Sequence, residues 1–153
     1  MHESVSAGDS LQIGVPENAF PMRLDAPDSV FIAGGIGITP LWCMIQALSK
    51  EGRPWSLYHS ARSRQAAVFH GEIAAHGHER VTYRFSDDPS TGRFNLQEIV
   101  AAAAPGTHFY CCGPGSMLED FKQACRNVPA DCVHFEYFGT QQEAAQASGT
   151  RVR

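Results

Sequence analysis

The chain has 153 residues, of which 43% are hydrophobic, and its formal net charge is −4. This length suits one domain with a single core, and the acidic balance without a cluster of Lys or Arg argues against nucleic acid as a partner. No apolar run approaches the roughly 20 residues that span a bilayer. We therefore expect no membrane partner and a cytoplasmic location.

The two ends of the chain have patterns that differ from its middle. The first 22 residues show a turn, one alternating strand over residues 11–15 and an extended exit marked by Pro16 and Pro21. A lone strand is not a domain. Residues 139–153 are small and polar without apolar periodicity, which predicts a disordered linker. We expect a leading segment (1–22), a globular domain (23–138) and a linker (139–153).

From Ser29 onward the sequence alternates apolar strand patterns with helical patterns. This alternation predicts an α/β fold: a doubly wound, five-stranded parallel sheet with helices on both faces. Asn95 with Glu98 predicts a helix N-cap, and Thr39 before Pro40 predicts proline at the first position of a helix. The predicted strands lie near residues 30–33, 55–60, 80–85, 107–112 and 132–137, and the predicted helices near residues 40–50, 65–76, 95–103 and 115–126.

Two glycine-rich turns follow predicted strands and open predicted helices. The first has the sequence GGIGITP over residues 34–40, and the second has CGPGSM over residues 112–117. Glycine lets the main chain approach a pyrophosphate, whose charge suits the amides at a helix N-terminus. In a doubly wound sheet such turns converge on one cleft beyond the carboxyl ends of the strands. Tight turns needed only for packing are the alternative.

These two motifs, followed by Glu136-Tyr137-Phe138, resemble the pyridine-nucleotide domain of the ferredoxin reductase superfamily. More narrowly, the chain is similar to the phthalate dioxygenase reductase and vanillate O-demethylase oxidoreductase branch over roughly residues 3–138. The resemblance implies the sheet order 3-2-1-4-5 and makes residues 1–22 the remnant of a flavin-binding barrel and its connector. In that branch a ferredoxin domain follows the linker, so FMN and the 2Fe–2S centre would be held outside this chain.

The resemblance also implies a function. The chain would be the NAD(P)H-binding module of an FMN- and 2Fe–2S-dependent reductase that passes electrons from NADH through flavin to a Rieske-type aromatic oxygenase or demethylase. The isolated module would be inactive, and its partners would be the flavin barrel, the ferredoxin domain and the oxygenase component. Two alternatives stay open: a non-catalytic, nucleotide-binding regulatory module, and an NADPH-linked flavin reductase domain.

Three candidate catalytic residues come from the resemblance, which puts Thr39 near the nicotinamide, Cys112 against its reactive carbon, and Glu136 with Phe138 beside flavin and nicotinamide. No His or Lys pattern activates Cys112, so we expect it to position the reactants rather than attack them. A small buried hydrophobe and a solvated strand-end carboxylate are the alternative roles of Cys112 and Glu136. The cofactor-binding residues predicted in the two turns are Gly34, Gly35, Ile36, Gly37, Ile38, Thr39, Pro40, Cys112, Gly113, Pro114 and Met117, with Phe138 at the end of the last strand.

The loop after the second predicted strand bears on the choice of coenzyme. Ser60, Arg62 and Arg64 are the cofactor-binding residues predicted there. The loop has no carboxylate, and arginine can accommodate the 2′-phosphate of NADP. The resembled branch prefers NADH, so we expect NADH, with NADPH left open. Asp87, Asp88 and Pro89 predict a turn, and a place at the border of the adenine pocket is its alternative role.

The cysteines and histidines suggest no metal centre. Five cysteines, an odd number, are typical of reduced thiols, and their spacing lacks the C-x4-C-x2-C pattern of a plant-type cluster. His76 and His78 have no further ligand in sequence and predict a solvated helix end. Phe20 and Met22 are expected to leave an exposed apolar patch where the barrel would pack.

Overall fold

The computed structural model describes residues 5–138, which form alternating strands and helices. Short 3-10 turns precede the first helix (Gly35–Gly37), the third strand (His78–Arg80) and the last strand (Ala130–Cys132). In chain order the elements are β1 (Ser29–Gly34), α1 (Ile38–Lys50), β2 (Trp55–Ala61), α2 (His70–Gly77), β3 (Val81–Phe85), α3 (Leu96–Ala102), β4 (His108–Gly113), α4 (Gly115–Ala124) and β5 (Val133–Tyr137).

The five strands form one parallel sheet in the order β3-β2-β1-β4-β5. This confirms the predicted doubly wound α/β fold and its strand order. Every residue of β1 and β4 is buried, as expected for central strands covered on both faces. The carboxyl ends of β1 and β4, where the two glycine turns begin, therefore lie side by side in the middle of the sheet.

Alternate residues of β1 face two separate apolar layers. Phe31 and Ala33 belong to a cluster with residues of α1 and α2, whereas Val30 and Ile32 belong to a cluster with residues of α3 and α4. Since side chains alternate across a strand, one run of apolar residues supplies the core on both sides of the sheet. The helices consequently pack in pairs on opposite faces, α1 with α2 and α3 with α4.

Two helices begin where the sequence did not place them. Helix α1 begins at Ile38, because the 3-10 turn leads directly into it, so Pro40 is its third residue rather than its first. The missing N–H of Pro40 still falls among the first four helical amides, which have no partner within the helix. Helix α2 begins at His70 because Phe69 has φ +60 and interrupts the predicted helix. The predicted Asn95 cap is confirmed, since its Oδ1 accepts a hydrogen bond from the Glu98 N–H at 3.3 Å.

Two expectations for the leading segment are wrong. Residues 11–15 form no strand, and Leu11, Ile13 and Val15 are 60%, 85% and 90% exposed, because no neighbouring strand in the described residues pairs with them. Phe20 is buried, with its ring centroid 6.1 Å from that of Tyr110, and the half-buried Met22 packs against the same core, so the two residues leave no exposed patch. The predicted linker over 139–153 lies outside the described residues. Within residues 5–138, no helix has the length and apolar character needed to cross a membrane.

Candidate functional site

The two glycine turns pack directly against each other. A Cβ added to Gly34 would lie 2.5 Å from Cδ of Pro114 and 3.0 Å from Sδ of Met117, and one added to Gly113 would lie 3.1 Å from the Gly34 Cα. A Cβ on Gly37 would strike the carbonyl oxygen of Cys112. Packing alone therefore requires glycine at positions 34, 37 and 113, whatever else these residues contact.

Gly35 has a different role from the other glycines of its turn. Its φ is +55, a conformation that other residues adopt at a cost, and no heavy atom lies within 4 Å of the position of its missing Cβ. The next residue, Ile36, is 47% exposed. Thr39 closes the turn by donating a hydrogen bond from its Oγ1 to the carbonyl of Ile36 at 2.9 Å. The main chain at Gly35 is thus open to a ligand.

Two helix N-termini lie at this edge of the sheet. Helix α1 follows the first turn and α4 begins at Gly115, directly after the second turn, and neither has an acidic residue in its first turn. Helix N-termini carry partial positive charge and free amides, and here no side-chain carboxylate occupies them. The edge between the turns therefore suits an anionic group such as a pyrophosphate.

Cys112 lies at the end of β4 and is fully buried. It pairs in register with Glu136 on β5 and with Ala33 on β1. Burial, and secondarily the charge of Glu136, raise the pKa of the Cys112 thiol to about 11. The thiol is protonated at neutral pH, which fits a positioning role and not a nucleophile. Cys111 faces the opposite layer, where it packs with α4 residues as core.

Glu136 and Phe138 differ in burial. Glu136 is half-buried and lies on the strand that borders Cys112, so the structure brings the two predicted residues together across neighbouring strands. Phe138, the last described residue, follows the end of β5 and is 60% exposed. Its ring is available for a further contact, and its role stays a prediction.

A pocket of about 410 Å³ lies beyond the carboxyl ends of β2 and β3, next to the start of α4. Ser60, Pro114 and Met117, which the sequence predicted as cofactor-binding, are among the residues that line it. Arg62 and Arg64 are not among them: Nη1 of Arg64 lies 3.1 Å from Nε2 of His70, and its guanidinium lies 5.7 Å from the ring of Phe85.

The pocket also has side chains that the sequence analysis did not select. Arg84 lies with its guanidinium 5.6 Å from the ring of Phe94. Asp88, left open in sequence, lines the pocket, and its Oδ1 accepts hydrogen bonds from Ser90 N at 3.0 Å and Ser90 Oγ at 2.6 Å, which lower the pKa of the carboxyl. For Asp88 the available signal was its position after a predicted strand, since ligands bind at such ends, whereas Arg84 lies within β3 and had no such signal.

One further polar side chain lies beneath the first turn. His59 is in β2 and is fully buried, and its Nε2 lies 3.1 Å from the carbonyl oxygen of Gly35. The sequence carried a signal for it: Leu57, His59 and Ala61 alternate onto the buried face, so a histidine stands where an apolar residue is expected. Among residues 5–138, no three His, Cys, Asp or Glu side chains group as a metal site.

The model of the oxidoreductase NAD-binding domain family matches residues 31–123. The chain belongs to this family. The match covers both turns and the start of α4, so the converging main chain and helix N-termini are those of an NAD-binding domain. The resemblance to the ferredoxin reductase superfamily, and to its phthalate dioxygenase reductase and vanillate O-demethylase oxidoreductase branch, is confirmed by the comparisons with individual proteins.

Three proteins illustrate these similarities. The phenoxybenzoate dioxygenase subunit beta of Ectopseudomonas oleovorans is 46% identical over 149 residues, 97% of this chain and 46% of that protein. The vanillate O-demethylase oxidoreductase of a Pseudomonas species is 31% identical over 98% of this chain and 48% of its own length. The solved structure of phthalate dioxygenase reductase, described as modular for electron transfer from pyridine nucleotides to 2Fe–2S, has TM-score 0.76 and 31% identity over 90% of this chain and 43% of its own. The chain spans about half the length of the curated relatives it matches.

We predict that Gly37→Ala destabilises the domain, because the new methyl group meets main-chain atoms that no side-chain rotation can move. The free energy of unfolding in urea should fall by about 1–3 kcal/mol. The matched control is Gly71→Ala in α2, where nothing lies within 4 Å of the added atom, and which should raise that free energy by about 0.5–1 kcal/mol. Equal effects of the two substitutions would show that the turns do not pack as described.

We also predict that Cys112 contributes to the loss of stability at alkaline pH. The folded thiol keeps its proton to about pH 11, whereas the unfolded thiol loses it near its ordinary value of 9.0, so stability falls as pH rises between these values. In Cys112→Ala this fall should be shallower, as measured by urea unfolding at several pH values. Below about pH 8 the two proteins should differ by a constant amount, which is the internal control. Curves that stay parallel to about pH 10.5 would contradict the prediction.

Proposed function

We propose that this chain is the NADH-binding domain of an FMN- and 2Fe–2S-dependent reductase that passes electrons to a Rieske-type aromatic oxygenase or demethylase. The observation that carries the proposal is the pairing of Cys112 with Glu136 at the edge where both glycine turns begin. A domain that only sensed a nucleotide would need the open main chain at Gly35 but neither of these side chains. The relatives, a dioxygenase subunit, an O-demethylase oxidoreductase and a dioxygenase reductase, support the same class of system.

The described residues fit a dinucleotide laid across this edge. Free amides within residues 35–39 and at the N-terminus of α4 would hold the pyrophosphate, since both lie beside main chain that carries no Cβ. The pocket lined by Ser60, Arg84 and Phe94 would take the adenosine half. Thr39, Cys112, Glu136 and Phe138 would lie about the nicotinamide, which when bound supplies a hydride.

The protein's own part in this chemistry is positioning. The Cys112 thiol is buried and uncharged, so it neither attacks the coenzyme nor attracts water, and its small polarisable sulfur would lie behind the ring. The oxygen of the Thr39 hydroxyl keeps the capacity to accept a hydrogen bond while its hydrogen is donated to Ile36. These two groups can orient a ring and its carboxamide without a covalent step.

The rest of the proposed activity needs protein outside this chain. FMN would be held by a flavin barrel and the 2Fe–2S centre by a ferredoxin domain, and with the oxygenase component these are the proposed partners. We keep residues 1–22 as the barrel remnant, 23–138 as the nucleotide domain and 139–153 as the linker. All five cysteines are free, and we propose a cytoplasmic location for the whole protein.

The charges of the pocket favour NADH over NADPH. Arg84 and Arg93 line it together with Asp88 and Asp120, so the four formal charges cancel. A 2′-phosphate needs a surplus of positive charge, whereas a carboxylate can accept hydrogen bonds from the two ribose hydroxyls of NADH. Arg84 and Arg93, taken by themselves, favour the alternative of an NADPH-linked flavin reductase domain. The measured preference for NADH or NADPH decides between the two functions.

We predict that the purified chain binds NADH weakly and reduces no acceptor by itself. In a two-dimensional amide NMR titration, NADH should shift residues 34–39, 84–94 and 112–117, while residues 62–64 shift less because Arg62 and Arg64 do not line the pocket. Ferricyanide added with NADH should stay oxidised until a flavoprotein partner is supplied. Tight flavin in the purified chain, turnover without a partner, or no response at millimolar NADH would overturn the proposal.

We predict that Asp88 contributes to the choice of coenzyme. Asp88→Asn replaces a charged acceptor with a neutral one and should weaken NADH binding roughly tenfold, because a hydrogen bond to a charged group contributes about 1.5–3 kcal/mol and one to a neutral group about 0.5–1.5 kcal/mol. NADPH binding should be unchanged or stronger, so the preference for NADH over NADPH becomes smaller. The control is Asp87→Asn, the same change of charge one residue away and not among the residues that line the pocket. If Asp87→Asn changes the ratio of the NADH and NADPH dissociation constants as much as Asp88→Asn does, the change comes from the net charge of the region and not from a contact with Asp88.

A further inference from the structure

We propose that His59 is a positioning residue of the dinucleotide site, which it serves by holding the Gly35 peptide. This inference rests on the proposed NADH function. His59 lies in β2 beneath the first turn, on the face of the strand that points into the core, and is fully buried. Its Nε2 lies 3.1 Å from the Gly35 carbonyl oxygen. This contact joins β2 to the one glycine of the turn that is open to a ligand.

The contact fixes the state of the imidazole ring. A carbonyl oxygen can only accept a hydrogen bond, so Nε2 of His59 carries the hydrogen. Burial lowers the pKa of His59, so the ring is neutral at pH 7 and Nδ1 carries no hydrogen. Nδ1 is buried and has no hydrogen-bond partner among the described residues. The ring is therefore held in one tautomer by its hydrogen bond to Gly35.

The orientation of the Gly35 carbonyl determines where the next amide points. The carbonyl also accepts a hydrogen bond from the N–H of Ile38 as the chain enters α1. No peptide bond among residues 5–138 is cis, so the N–H of Ile36 points opposite to the Gly35 carbonyl. Since His59 lies on the core side, the Ile36 amide faces away from the core, where Ile36 is 47% exposed. This is the side on which a pyrophosphate would approach the turn.

Few other contacts hold this peptide in place. No heavy atom lies within 4 Å of the position of a Cβ on Gly35, so side-chain packing does not fix it. Glycine can adopt many backbone conformations. Time spent in those that do not point the Ile36 amide at the pyrophosphate lowers the affinity for the dinucleotide. A buried hydrogen bond from a rigid ring selects the required conformation before the ligand arrives. The effect on binding is preorganisation of an anion-binding amide, with no contact between His59 and the ligand.

A matched control lies beside His59 in the same part of the core. The ring centroid of Tyr83 is 5.6 Å from that of His59, and the Tyr83 hydroxyl is buried without a hydrogen-bond partner among the described residues. Tyr83→Phe therefore removes a buried polar atom near the imidazole without removing a bond to Gly35. Any change of affinity that follows only from disturbing this region will appear in both substitutions.

The test compares His59→Phe, His59→Gln and Tyr83→Phe by NADH titration of the full chain. His59→Phe removes the donor and should raise the dissociation constant roughly fivefold to tenfold, the effect of one net hydrogen bond. The side-chain amide that His59→Gln introduces can donate from nearly the same place, so affinity should return to within about twofold of wild type. Tyr83→Phe should leave affinity unchanged. Equal losses in His59→Phe and His59→Gln, or a loss in Tyr83→Phe, would overturn the proposal.

A second readout needs neither a variant nor a ligand. In the wild-type chain at pH 7, NMR should show hydrogen on Nε2 of His59 and a coupling across the hydrogen bond to the Gly35 carbonyl carbon. A ring with hydrogen on Nδ1, or no such coupling, would overturn the proposal even if His59→Phe fails to fold. If wild type does not bind NADH, the proposed function and the binding effect of His59 fall together, while this readout still decides whether His59 holds the Gly35 peptide.

Discussion

The fold and the site both depend on the contact between two glycine turns at the centre of the sheet. β1 and β4 are neighbouring parallel strands, about 4.8 Å apart, and each must turn into a helix at the same edge. Gly37 lies against the carbonyl of Cys112 with no room for a Cβ. Because the turns carry no side chains at this contact, α1 can run onto one face of the sheet and α4 onto the other while the two strands stay paired. The positive ends of both helices consequently meet at one edge.

The parts of this arrangement that could be predicted are those with local signals. Apolar runs followed by glycine mark β1 and β4, and Asn95 with Glu98 marks the start of α3. The strand order came from the resemblance, since periodicity does not order strands. Beyond the position of Asp88 after a predicted strand, the pocket had no local signal, because Arg84 and Asp88 meet the start of α4 only after the sheet is assembled. In sequence Arg62 and Arg64, after β2, are the more obvious candidates for a coenzyme contact, but they do not line the pocket and Arg64 contacts His70.

The leading segment shows why alternation alone is a weak predictor. Residues 11–15 alternate as a strand does, yet a strand also needs a neighbour for its main-chain hydrogen bonds, and within residues 5–138 none is present. Phe20 was expected to be exposed because the barrel that would cover it lies outside this chain. Its ring instead packs within the domain against the buried Tyr110. The Tyr110 hydroxyl accepts a hydrogen bond from Arg23 N at 2.9 Å, so the chain after Phe20 is tied to β4. Burial depends on available partners, which composition does not reveal.

The charges along this edge match the charge pattern of the proposed ligand. The middle of this edge, where the N-termini of α1 and α4 lie, favours an anion. At the end of the edge where the pocket lies, two arginines are balanced by two aspartates. At the other end the charge of Glu136 contributes to the raised pKa of Cys112, which means that its field disfavours negative charge at that position. The same field favours positive charge. A nicotinamide becomes positively charged when it gives up a hydride, so the Glu136 carboxylate, whose charge adds to the effect of burial on the thiol, would also stabilise the oxidised ring beside it.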